Sequence, residues 1–246
     1  MANIERGIMR LMRIANHPVE VVEVRDFSSL YRRIRFSGPE MLATLEVSPT
    51  LWMRIWAPNE RIGDVSQRAY TFVAVDEKAG TFDVDFVLHD IPGPAGDWAK
   101  QAEPGQRVEV AITPAHLTIP REVDHWVLAG DLTALPAINS LIEAAPARVR
   151  VSAAVEDAHA DHHDLLPVSE HPQLDFSWIV PAQGDHGGEL AAWIRGLEID
   201  PADVWAWGAG ERSLVKAVRS VCKDAWALER GTFFTQAYWI EGKAGR

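Results

Sequence analysis

The sequence predicts two consecutive folds: a six-stranded antiparallel β-barrel over residues 17–120, then a parallel-sheet α/β domain over residues 124–246. Three observations carry this. Short β-branched or aromatic runs bounded by turn residues fill the first half, without long helices between them. The register changes near Asp124, after which apolar strand runs alternate with helical stripes. The length of 246 residues suits two domains of ordinary size.

The predicted barrel strands are Val19–Val24, Leu30–Phe36, Leu51–Trp56, Ala69–Val75, Thr81–Leu88 and Arg107–Ile112. The turn Asp76-Glu77-Lys78-Ala79-Gly80 makes a hairpin of two of them. Asp83 and Asp85 alternate with Val84 and Phe86, the pattern of a sheet with one wet face. Closing six such strands into a barrel removes exposed edges. Pro92, Gly93 and Pro94 then break the strand, and Ala95–Ala102 reads as one or two helical turns.

In the second half, Trp126–Ala129 is a strand, Gly130 a turn, and Leu135, Ile138 and Ile142 fall on one helical face. Strands follow at Val149–Val155, Leu174–Val180 and Val204–Trp207. Helices fit Leu190–Leu197 and Leu214–Cys222. Open parallel sheets bind ligands at the carboxyl ends of their strands, where Gly130 and Gly208 sit. Each of those glycines is equally well a tight turn, and a full Gly-x-Gly-x-x-Gly is missing.

Composition narrows the function. The formal net charge of −11 argues against general nucleic-acid binding. The single cysteine, Cys222, lies on an apolar helix stripe and reads as a buried structural thiol. It rules out an internal disulfide and makes a reducing cytoplasm the simplest compartment. No apolar stretch approaches 18 residues, so no membrane span is expected. Met1–Asn16 lacks the apolar run of a signal peptide and reads as a short amphipathic helix or a frayed tail.

Arg68-Ala69-Tyr70-Thr71 is the most suggestive stretch. Strand alternation puts Arg68 and Tyr70 on one face and Thr71 on the other, within roughly 3.3 Å per residue. A flavin dinucleotide uses such a set: a guanidinium for the pyrophosphate, a ring for the heteroaromatic and a hydroxyl for a ring nitrogen. Taken alone, it is also ordinary strand composition. Gly93-Pro94-Ala95 at a helix start offers bare N–H groups to phosphate, or is a plain loop with Trp98 as a core plug. Ala158-His159-Ala160-Asp161-His162-His163-Asp164 contains metal-ligand types but reads as a solvated loop, so no metal ligand is assigned.

These pieces, in this order, resemble the siderophore-interacting proteins, flavin-dependent ferric-siderophore reductases of the ferredoxin-reductase-like superfamily. The resemblance rests on Val22–Gly38, Arg68–Thr71, His89 with Gly93–Ala99, Gly130–Ile138, Trp207–Glu211 and Tyr238–Gly242. It implies FAD in the barrel, NADPH or NADH in the α/β domain, and a ferric siderophore as acceptor, reduced so that Fe(II) is released. Ferredoxin is the electron donor in some members. No side chain is implied as a general acid or base.

By the resemblance, Arg68 holds the pyrophosphate, Tyr70 packs on the isoalloxazine and Thr71 bonds near its reactive edge, with backbone help from Ala69. His89, Gly93, Pro94, Ala95 and Trp98 complete the flavin site. Asp131, Thr133, Ala134, Gly208, Gly210, Glu211, Tyr238 and Trp239 fall on the cofactor segments of the second domain. Arg54, Arg121 and Lys243 are the candidate cations for an anionic ferric chelate. Leu132 replaces the family's usual Glu, and Ile240 stands where many members have Arg. Glu156 and Asp157, after the second α/β strand, are placed to favour a ribose diol and hence NADH.

Overall fold

The computed structural model describes residues 15–59, 63–89, 93–112, 117–120 and 122–242. The expectations placed on the first 14 residues, Arg121 and Lys243 lie outside the described residues. The chain divides into two compact units, the first ending at residue 116 and the second beginning at 117.

The first unit is a seven-stranded antiparallel sheet: β1 (Asn16–Ser28), β2 (Tyr31–Ser37), β3 (Trp52–Asn59), β4 (Asp64–Thr71), β5 (Val73–Asp76), β6 (Thr81–Val87) and β7 (Arg107–Ile112). Their order is β4-β3-β7-β1-β2-β6-β5. Two short helices, α1 (Pro39–Leu42) and α2 (Pro94–Gln101), complete it.

The count differs from six because the predicted strand Ala69–Val75 is two strands. The chain breaks at Phe72, which is buried and donates its N–H to the Leu51 carbonyl, and Ala74 takes a positive φ of 44°. β4 pairs with β3 and β5 pairs with β6. One nearly continuous segment thus joins the two edges of the sheet, the role expected of barrel closure, without a ladder hydrogen-bonded all the way round.

The core is the inward alternation of these strands, including Val21, Ile34, Phe36, Met53, Ile55, Phe82, Val84, Phe86 and Val110. The expected wet face of β6 is not wet. Asp83 and Asp85 are 1% and 5% exposed. Arg35 and Arg33, their cross-strand neighbours on β2, cover them with two-pronged guanidinium contacts of 2.6–3.0 Å. Tyr31 donates its hydroxyl to Asp85 at 2.9 Å, and burial, first, and Asp85 hold that phenol well above its ordinary range. Charge pairing has replaced water here, which polarity alone does not signal.

The second unit is a five-stranded parallel sheet: β8 (His125–Asp131), β9 (Arg150–Glu156), β10 (Leu174–Ile179), β11 (Val204–Glu211) and β12 (Phe233–Trp239), in the order β10-β9-β8-β11-β12. Helices α3 (Leu135–Ala144), α4 (Gly188–Arg195) and α5 (Arg212–Ser220) accompany them. β8 and β11 are buried along their whole length, as strands of a covered parallel sheet must be. Strand order reverses between β8 and β11, the topological switch where such sheets take ligands.

β12 was not anticipated as a strand; its largely exposed edge position leaves no clear apolar alternation. Cys222 is buried on the π-helical turn after α5, and burial pushes its thiol up to about 12, which suits the structural role expected. The segment 158–164 departs from the solvated loop. Ala160–Leu165 forms a 3-10 helix, and His162 within it is 4% exposed.

Candidate functional sites in the two units

In the first unit β4 brings Arg68, Tyr70 and Thr71 together as alternation requires. Tyr70 is half-buried, its ring 4.4 Å from that of Phe86, and burial pushes its phenol up. Thr71 is buried and Ala69 exposed. The Arg68 guanidinium donates from Nη1 to the Gln67 carbonyl at 2.6 Å, and among the described residues no carboxylate pairs with it. Arg32, Arg33, Arg35 and Arg107 of the same unit are each held by an Asp or Glu. Arg68 lies on a strand that also carries a flat ring and a hydroxyl.

Helix α2 packs against β3 and β4. Gly93 precedes it in an extended conformation (φ −152°, ψ 143°), with no side chain capping the helix. Pro94 at the first position needs no N–H partner, which leaves the next amides as the open donors. Among the described residues, a Cβ at Gly93 would meet only His89, at 3.8 Å, and one at Gly96 would meet nothing within 4 Å. Trp98 faces inward instead, stacked on Phe36 at 6.3 Å and tilted against Phe86 at 6.0 Å. It is partly buried and packs on the core as a plug. Arg54 lies over the Trp52 ring at 4.6 Å, and partial burial lowers its pKa.

In the second unit the residues at the switch are tied to one another. Asp131 Oδ2 accepts from the Glu211 amide (2.6 Å) and from Trp239 Nε1 (2.8 Å). Its Oδ1 accepts from the Thr133 amide and hydroxyl (2.9 and 2.5 Å). Burial pushes this carboxyl up against those four donors. One side chain thereby joins the ends of β8, β11 and β12. Glu211 accepts from the amide and hydroxyl of Ser213 and from the Glu241 amide. Burial opposes its ionisation, yet these donors bring it down to about 2.

The glycines serve close approach. A Cβ on Gly130 would lie 2.6 Å from both Ala134 Cβ and the Ala209 carbonyl oxygen. Gly210 has φ +137°, and a Cβ there would lie 2.5 Å from Asp131 Oδ2. Gly208 is looser, with Val218 at 3.0 Å. Ala134 is fully buried, while Tyr238 and Trp239 are 39% and 37% exposed beside this knot. Glu156 and Asp157 do not present free carboxylates to a ribose. Glu156 takes the Gly187 amide on both oxygens (2.9 and 3.1 Å), and burial, first of its causes, raises it to about 7. Asp157 is ringed by imidazoles. The sequence argument for NADH from these two side chains therefore falls away.

An antiparallel sheet with Arg68, Tyr70 and Thr71 on one strand, followed by a parallel sheet with a topological switch point, makes a two-domain β and α/β fold. Residues 43–115 match the family model of the siderophore-interacting FAD-binding domain, and residues 123–242 match that of the siderophore-interacting protein. The chain belongs to the siderophore-interacting protein family.

It is 31% identical over 249 residues to the mycobactin import ATP-binding/permease protein IrtA of Mycobacterium tuberculosis, covering 99% of this chain and 28% of that protein. The chain thus spans just over a quarter of that relative. It is 25% identical over 232 residues to the ferric vibriobactin reductase ViuB of Vibrio cholerae, covering 86% of this chain and 84% of that one. Among solved structures, a siderophore utilization protein from T. fusca superposes with a TM-score of 0.81 at 28% identity, covering 94% of each chain. Among the described residues no helix is long and apolar enough to cross a membrane.

Proposed function

We propose that this chain is an FAD-dependent ferric-siderophore reductase that takes electrons from NADPH or NADH. Arg68 carries the reading: an arginine with no carboxylate partner among the described residues, in a unit where Arg32, Arg33, Arg35 and Arg107 are each paired with an acid. A guanidinium in that state suits a pyrophosphate. Tyr70 and Thr71 beside it suit a ring and a ring nitrogen, and the open amides before α2 suit a second anionic group. FAD, when bound, supplies the conversion of two-electron hydride chemistry into single-electron steps.

The protein's own work is to bind and orient. Arg68 and the α2 amides fix the phosphates. Tyr70, backed by Phe86, holds one ring face, and Thr71 sets its edge. In the second unit the switch between β8 and β11 takes the nicotinamide dinucleotide, with Gly130, Gly208 and Gly210 letting the strand ends pack closely and Asp131 and Glu211 keeping them rigid. Thr133, Tyr238 and Trp239 border that position. Arg54, Arg121 and Lys243 are the cations we assign to the anionic ferric chelate. No proton transfer is required at iron, and the Fe(II) product binds more weakly to a hard oxygen chelator, so it leaves. The domain limits 17–120 and 124–246 and a cytoplasmic setting, where nicotinamide and reduced thiols are at hand, go with this reading.

The mycobactin and vibriobactin relatives support a siderophore as substrate. Reconstituted with FAD, the protein is expected to release Fe(II) from a ferric chelate at the expense of NADPH or NADH, read by a ferrous-specific dye. Flavin bleaching without Fe(II) release from any hydroxamate, catecholate or mixed chelate would instead favour another acceptor. Bleaching by reduced ferredoxin alone would replace the nicotinamide as donor.

A further inference from the structure

Beyond the redox machinery, the segment after β9 gathers three imidazoles on one buried carboxylate. His162 Nε2 lies 2.6 Å and His163 Nε2 3.1 Å from Asp157 Oδ2, and His159 Nδ1 lies 3.2 Å from Oδ1. Among the described residues, the ligand atoms of Asp157, His162 and His163 form a group in which all lie within 4.8 Å of one another. Asp157 and His162 are 7% and 4% exposed. The 3-10 helix Ala160–Leu165 turns two successive histidines back onto the strand end. The His163 ring is stacked on Trp178 of β10, centroids 4.3 Å apart and planes within 13°, so its orientation is held by the neighbouring strand.

A buried carboxylate can accept about four hydrogen bonds, and Asp131 takes its donors from amides, a hydroxyl and an indole. Here three imidazoles converge, two of them on the same oxygen. Imidazole with carboxylate is the donor set of first-row divalent ions. Burial adds to the argument, because ligands that exclude water bind a cation without competition from solvent.

We propose that Asp157, His162 and His163 bind a divalent first-row transition metal ion of the zinc class. Bonds of about 2.0–2.2 Å in a tetrahedral site place ligand atoms about 3.3 Å apart. The present separations of 2.6 and 3.1 Å would have to open by about 0.7 and 0.2 Å to reach that spacing. Metal binding uses the tautomer in which the ring nitrogen facing Asp157 carries no proton, so that its lone pair takes the metal. With three protein ligands and one position left for water, the bound ion would pin residues 157–165 to the ends of β9 and β10.

The test uses the tag-free chain, freed of metal with a chelator and titrated calorimetrically with zinc. The expected result is one zinc per chain with a dissociation constant of about 1 µM or lower. His162→Ala and His163→Ala should each weaken binding about tenfold or more. His171→Ala, outside the cluster, should leave it unchanged. His163 is partly exposed, so His163→Ala keeps the test valid if His162→Ala fails to fold by circular dichroism. Cobalt(II) should quench tryptophan fluorescence through the His163–Trp178 stack, and Trp178→Phe should remove most of that quenching. Absence of a saturable single site, or zinc binding unchanged in His163→Ala, overturns the proposal and leaves Asp157 as a hydrogen-bonded strand cap.

Discussion

Gly210→Ala is expected to be the most damaging small substitution at the switch point. Gly210 has φ +137°, where a residue with a Cβ is strained by about 1–3 kcal/mol. Its new Cβ would also lie 2.5 Å from Oδ2 and 2.6 Å from the Cγ of Asp131, with the Asp131 amide nitrogen at 3.0 Å. Asp131 cannot swing away freely, because its oxygens take the Glu211, Thr133 and Trp239 donors. Displacing it leaves at least one buried group unsatisfied, a further ~1–3 kcal/mol. The expected loss is about 2–6 kcal/mol for the second unit.

Gly231→Ala supplies the comparison. Gly231 also has a positive φ, +100°, but a Cβ there meets nothing within 4 Å. It should lose only the backbone term, about 1–3 kcal/mol. Guanidinium denaturation of both variants, followed by tryptophan fluorescence and far-UV circular dichroism, gives the difference directly. If Gly210→Ala loses no more than Gly231→Ala, the close packing of Gly210 on Asp131 is not what ties β8 to β11, and the reasoning is refuted.

Arg68→Ala should weaken FAD more than Tyr70→Ala, since it removes a charge-assisted contact of about 1.5–3 kcal/mol; equal flavin retention after dialysis would count against the pyrophosphate role. Asp85→Ala should lower the stability of the first unit by about 3–5 kcal/mol in urea, because it strands Arg33 and the Tyr31 hydroxyl. Glu211→Gln should show a pH signature. Glu211 ionises at about 2 in the fold against an ordinary 4.5, so its contribution is present above about pH 4.5 and is lost as pH falls towards 2. The gap between native and variant should reach about 1–3 kcal/mol at neutral pH and close in acid; a gap that does not change with pH would show that hydrogen bonding to the ionised form is not the cause.

Much of this molecule follows from local pattern. The strands of the first unit were legible because β-branched and aromatic residues recur between turn residues, and a pleated strand sorts its faces by alternation alone. The βα units at Gly130 and Gly208 were legible for the same reason: a buried strand, a residue without Cβ and a helical apolar stripe follow one another in sequence. Arg68, Tyr70 and Thr71 lie within one strand, so their proximity needed no folding to establish.

What spans the chain was not legible. That Asp83 and Asp85 are covered by Arg35 and Arg33 depends on the β2–β6 register, and a Coulombic pair leaves no trace in either strand's composition. The Asp131 knot joins residues 80 and 108 positions apart, and only the strand order β8-β11-β12 puts their donors on one carboxylate. The turning inward of His162 and His163 onto Asp157 likewise waits on β10 supplying Trp178 beside them. The sequence by itself determined the two fold classes and the placing of Arg68, Tyr70 and Thr71 together, because those are short-range matters of period and turn chemistry. The tertiary structure alone decided which charges are paired and which are left to bind a ligand, because pairing is set by distances between strands that the chain order does not contain.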